Sequence, residues 1–83
     1  MDFLLKQEKL VIELKIATDK LKDKQVGEQL IVDIKRYETH PDCKQFVCFV
    51  YDPGGNLRNP NGIESDLSRM HGALQVKVIV LSV

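Results

Sequence analysis

Net charge is the first thing this sequence lacks: twelve Lys and Arg balance twelve Asp and Glu over 83 residues. Phosphate neutralisation dominates non-specific nucleic-acid binding, so an even balance excludes a polycationic DNA coat protein. It still permits a local basic patch. Lys15, Lys20, Lys22 and Lys24 supply one, with a solvated linker as the alternative reading. Cysteine is scarce. Cys43 and Cys48 are too few for a disulfide framework, and with His40 they lack the fourth ligand of a zinc site. Both read as reduced structural thiols, Cys48 as a small hydrophobe inside an apolar segment. No apolar run is long enough to span a bilayer and no cleavable signal pattern is present, so the expected setting is cytoplasmic, with no membrane partner. The glycines form no phosphate cradle, which speaks against nucleotide hydrolysis. No repeat, low-complexity tract or linker divides the chain, which is expected to fold as a single domain over 1–83.

What is present is a run of alternating character near the start, Asp2-Phe-Leu-Leu-Lys-Gln-Glu-Lys-Leu-Val-Ile-Glu-Leu-Lys-Ile16. With Gln7-Glu8 as a two-residue turn, Leu5 faces Leu10, Leu4 faces Val11 and Asp2 faces Glu13. Side chains alternate along a strand, so Phe3, Leu5, Leu10, Ile12, Leu14 and Ile16 share one face. Asp2, Glu13 and Lys15 share the other. Two opposed carboxylates repel by about 0.2–1 kcal/mol in a sheet pair. A divalent cation removes that penalty. Hard carboxylate oxygens suit Mg²⁺, and a lysine beside them can orient an attacking water or offset charge on phosphorus. On spacing alone, the wet face of an edge hairpin explains the same residues as well.

Downstream, Asp23 reads as an N-cap, and Val26, Leu30, Ile34 and Tyr37 recur at helical spacing for about four turns before His40-Pro41. Phe46 to Tyr51 is a continuous apolar run, which suits a strand buried on both sides. Pro53 to Asn61 is a loop, Ile63 to Arg69 a short helix capped by Asn61, and Leu74 to Ser82 a last strand. The expected fold is therefore α/β, a small mixed β-sheet with helices in the order β-β-α-β-α-β. Its crossovers are parallel and right-handed behind an antiparallel hairpin.

The hairpin with Asp2 and Glu13-Leu-Lys15, followed by a helix and the strand Gln45 to Tyr51, resembles the core of the PD-(D/E)XK nuclease superfamily, the restriction-endonuclease-like fold. The segments from Gly27 to Tyr37, His40 to Cys43, Val47 to Pro53 and Asn59 to Ser68 are similar to the nuclease domain of bacterial restriction-type proteins. That resemblance covers nearly the whole chain. It implies a Mg²⁺-dependent DNA endonuclease, with Asp2 and Glu13 as metal-binding acids and Lys15 as the superfamily lysine. Gln29, one turn into the helix, stands where such nucleases sometimes place a supporting glutamine; its plainer reading is a solvent-facing helical residue. The superfamily core usually opens with a helix and a strand before the aspartate. Because that aspartate is Asp2 here, the resemblance implies a core lacking that first helix and strand, truncated at its N-terminus.

The remaining polar residues have plainer readings. Asp33 and Arg36 pair on the helix surface, Asp52 serves the turn before Pro53, and neither His40 nor His71 has a partner suited to general-base work. Arg58, in the long loop, is a candidate DNA contact by position. Two rivals stand beside the nuclease. One is an inactive fold relic that binds DNA or protein, or pairs as a homodimer. The other is an interaction module whose hairpin edge pairs with another chain.

Overall fold

A computed structural model describes residues 2–82. The elements are β1 (Asp2–Leu5), β2 (Leu10–Ile16), α1 (Asp23–Glu38), β3 (Gln45–Asp52), α2 (Pro60–Leu67), β4 (Met70–His71) and β5 (Leu74–Ser82). Among the described residues the strands form one mixed sheet in the order β1-β2-β3-β5-β4. The hairpin register is the expected one, Asp2 opposite Glu13 and Leu5 opposite Leu10. Lys9 closes the turn at φ 53, a left-handed conformation that a non-glycine residue adopts only under local constraint. β2 and β5 flank β3 in parallel, each reached through a helix, as parallel neighbours require.

Both helices pack on one face of this sheet. Val26, Leu30, Ile34 and Tyr37 of α1 and Ile63 of α2 meet Val11, Phe46, Cys48, Val50, Leu74, Val76 and Val78 from the strands. Phe46 is wholly enclosed, with the Tyr37 ring 5.2 Å away. The opposite face has no covering layer among the described residues. Phe3, Leu14, Ile16, Tyr51 and Leu81 are exposed on it. This corrects the expectation for β3: it alternates, with Phe46, Cys48, Val50 and Asp52 buried, Val47 and Phe49 half-buried and Tyr51 exposed.

Three further boundaries differ from the sequence reading. Lys22, not Asp23, is the N-cap of α1; its backbone N–H is capped by the Gln25 side chain at 3.2 Å. Asp23 instead reaches the long loop and accepts the backbone N–H groups of Arg58 (2.8 Å) and Asn59 (2.9 Å). The second helix starts earlier than expected, because Asn59, not Asn61, accepts the Gly62 N–H at 3.1 Å and Pro60 takes the first turn, where its missing N–H costs nothing. After α2, a two-residue strand appears that periodicity did not reveal. β4 turns back onto β5 through Gly72 at φ 62, a conformation open to glycine without penalty. Asp52 plays the turn role read for it, with Asn56 N and Leu57 N each donating to its carboxylate at 2.8 Å. Both cysteines are free and buried. No described helix is long and apolar enough to cross a membrane.

Candidate active site

The hairpin register sets Asp2 and Glu13 side by side on the helix-covered face, and Lys15 follows two residues along β2 on that face. The wet-face alternative does not hold, because this face is roofed by α1. Glu13 is 5 % exposed. The Lys15 ammonium lies 3.2 Å from Glu13 Oε2 and 2.9 Å from Asp33 Oδ2, and it donates to Gln29 Oε1 at 3.2 Å. The Tyr37 hydroxyl donates to Asp2 Oδ2 at 2.7 Å, and Arg36 Nη1 stands 4.0 Å from the same oxygen. Cys48, the cross-strand neighbour of Glu13, points its thiol at Glu13 Oε2 from 3.8 Å.

Every side chain read as a site residue is therefore brought together: Asp2, Glu13, Lys15 and Gln29. Gln29 is solvent-exposed as its plainer reading held, yet its amide oxygen holds Lys15. What the sequence reading missed is Asp33. Its spacing makes it a surface partner of Arg36. The pair exists, at 2.8 Å, but Asp33 is buried and its other oxygen faces Lys15. Tyr37, read only as an apolar helix position, also reaches the site. A usable signal was present, since Gln29, Asp33 and Tyr37 are spaced four apart and so stack on one side of a helix. That side borders the apolar stripe of Val26, Leu30 and Ile34.

The electrostatics follow from this crowding. Burial pushes Glu13 upward, Asp33 and Asp2 push it further, and Lys15 only partly opposes them, so its carboxyl titrates at about 7. Burial also acts to raise Asp2, but the Tyr37 hydroxyl, Glu13 and Arg36 outweigh it and hold that carboxyl below its usual range. The pair thus divides into one readily ionised acid and one reluctant one, the signature of two carboxylates short of positive charge. Burial works to lower Lys15, and the carboxylates of Asp33 and Glu13 overcome it, leaving the ammonium firmer than usual. Tyr37 and the Cys48 thiol are each pushed to about 12, chiefly by burial and then by the neighbouring carboxylate.

The donor set fits a hard divalent cation through two protein carboxylates, with water in the remaining positions, as Mg²⁺ prefers. A closed cage does not fit. Among the described residues no group of three or more acidic, His or Cys side chains is arranged to hold a metal. Beside the site lies an open depression lined by Lys15, Glu28, Gln29, Val32, Asp33 and Arg36, which gives Lys15 access to solvent. The other candidates lie elsewhere. His40 accepts from Asp42 N at 3.1 Å, His71 bonds the Leu67 carbonyl, and the Arg58 side chain is exposed on the loop anchored by Asp23.

In comparison with known proteins, the family model described as REase_DpnII-MboI, a restriction endonuclease family, matches residues 1–82. No curated protein and no solved structure matches.

Proposed function

The chain belongs to the DpnII-MboI restriction endonuclease family, and from that premise we propose that it is a Mg²⁺-dependent endonuclease of the PD-(D/E)XK type, acting on DNA phosphodiester bonds. The observation that carries this reading is the convergence of Asp2, Glu13 and Lys15 on one roofed face, in the register the hairpin dictates. Asp2 and Glu13 would hold the ion. When bound, Mg²⁺ polarises a phosphoryl oxygen and makes its bound water more acidic.

The remaining roles belong to the chain. Tyr37 fixes Asp2 by its 2.7 Å hydrogen bond, so this carboxylate is oriented before any ligand arrives. Lys15 presents a firm ammonium at the mouth of the depression, suited to orienting the water and balancing charge that builds on phosphorus. Gln29 steadies that ammonium from α1. Glu13, held at about 7, must lose its proton to bind the ion, so occupancy of the site rises with pH.

A homodimer is part of the same proposal, with two copies meeting on the open sheet face. Phe3, Leu14, Phe49 and Leu81 lie on that face, and Lys77 is the charged strand residue on it among those described. Sedimentation of wild type and Phe49→Lys decides the point, since a wild type that stays monomeric at high concentration excludes this pairing.

Supercoiled plasmid incubated with Mg²⁺, with EDTA, and with the Glu13→Ala and Lys15→Ala proteins tests the activity. Nicking that needs Mg²⁺ and both side chains is expected. Equal absence of cutting in all samples would favour the binding relic.

A further inference from the structure

Three oxygens crowd the Lys15 ammonium: it donates to Gln29 and forms ion pairs with Glu13 and Asp33. A cation held by Asp2 and Glu13 competes directly with Lys15 for the Glu13 carboxylate. Something else must then keep the ammonium in place. Asp33 is the nearest of the three at 2.9 Å, and it is 5 % exposed. Its Oδ1 is occupied by Arg36 at 2.8 Å. Its Oδ2 is wholly enclosed and has no hydrogen-bond donor aligned on it; the Lys15 charge is the counter-ion beside it. A buried carboxylate is costly unless paired, and this one sits on the middle of α1, where an apolar residue would otherwise serve the roof.

We propose that Asp33 is the positioning residue for Lys15: it takes over the ammonium when Glu13 turns to the cation. The inference rests on the nuclease reading above. Gln29 supplies the second contact but no charge, so Asp33 carries the pairing. Arg36, on the far oxygen, holds the carboxylate pointed inward.

The test reads Lys15 itself by NMR of its ¹⁵N-labelled ammonium at low temperature, with and without Mg²⁺. In wild type the ammonium signal is expected to persist with Mg²⁺ present and to show a scalar coupling across the contact to the Asp33 carboxyl carbon. Asp33→Asn is expected to speed its exchange with water about tenfold and to lower kcat for plasmid nicking about 100-fold with little change in KM. Asp33→Glu should recover part of both. A wild-type ammonium that shows no coupling to Asp33 once Mg²⁺ is added overturns the proposal even if Asp33→Asn fails to fold. So does a folded Asp33→Asn that cuts like wild type. If wild type does not cut DNA but shows the coupling with Mg²⁺, the positioning stands and the nuclease reading fails.

Discussion

The two faces of this sheet invert the usual division of labour. On the helix-covered side, where apolar packing is expected, β1 and β2 present Asp2, Glu13 and Lys15, and α1 adds Asp33. On the side without a covering layer, Phe3, Leu14, Ile16 and Leu81 are exposed. Buried charge costs stability unless it is paired, and exposed contiguous apolar surface marks a place of interaction. The covered face accordingly carries its costly buried charge at the β1–β2 end and its enclosed apolar packing at the β3–β5 end. There, Phe46, Val50 and Val78 are fully enclosed.

The sharpest way to break this contrast is at Glu13 and Lys15. Replacing either with Ala should lower plasmid nicking by about a thousandfold, about 4 kcal/mol in barrier. For Glu13→Ala the thermal midpoint should hold or rise, because a strained acid pair is relieved, whereas Lys15→Ala should stay folded with a lower midpoint, because Glu13 and Asp33 lose their counter-ion. Loss of activity together with unfolding would mean these side chains serve packing.

The apolar positions give the next largest effect. Phe46→Ala, in the enclosed core, should cost about 3–5 kcal/mol in urea unfolding, whereas Phe49→Ala on the open face should cost far less. Equal losses would show that a layer covers both sides in solution.

The acid pair then makes a prediction with a definite sign. Glu13 is raised from 4.5 to about 7 in the folded protein, so the unfolded chain releases this proton first as pH rises. Its contribution to stability is full below about 4.5 and falls away toward pH 7, by up to about 3 kcal/mol. Asp2, shifted downward, acts in the opposite sense only in acid below its ordinary range. Thermal midpoints of wild type should therefore drop between pH 5 and 7 (the window set by Glu13) and those of Glu13→Gln should not. An identical slope in both proteins would place the proton elsewhere. The smallest effect is at Tyr37. Tyr37→Phe removes the donor that holds Asp2 down, so the Asp2 carboxyl should titrate higher in ¹³C spectra, at a cost of about 1 kcal/mol for the lost hydrogen bond.

Local pattern carried the parts of this fold that depend on neighbours in sequence. The hairpin register was readable because a two-residue turn fixes which side chains oppose one another, and β5 because its flanks are clear. Placement of Asp2 beside Glu13 followed directly. Gln29 accepts from Lys15 through its amide oxygen, a contact that its exposed helical position alone gives no reason to expect. Asp33 was not readable in the same way. Its i, i+3 spacing to Arg36 offers a complete surface explanation, and only the packing of α1 against the sheet brings its second oxygen to Lys15. The uncovered face was hidden for a related reason: an unbroken apolar run in β3 looks the same whether one layer or two lie against it. β4 is too short to show any period.

If Asp2 and Glu13 form one cation site, Mg²⁺ titration followed through their side-chain carboxyl ¹³C signals reads it out. Saturable, joint shifts of both carboxyls that strengthen from pH 6 to 8 and vanish in Glu13→Ala are the expected result. Shifts confined to one carboxyl, or none at millimolar Mg²⁺ above pH 7, would contradict it.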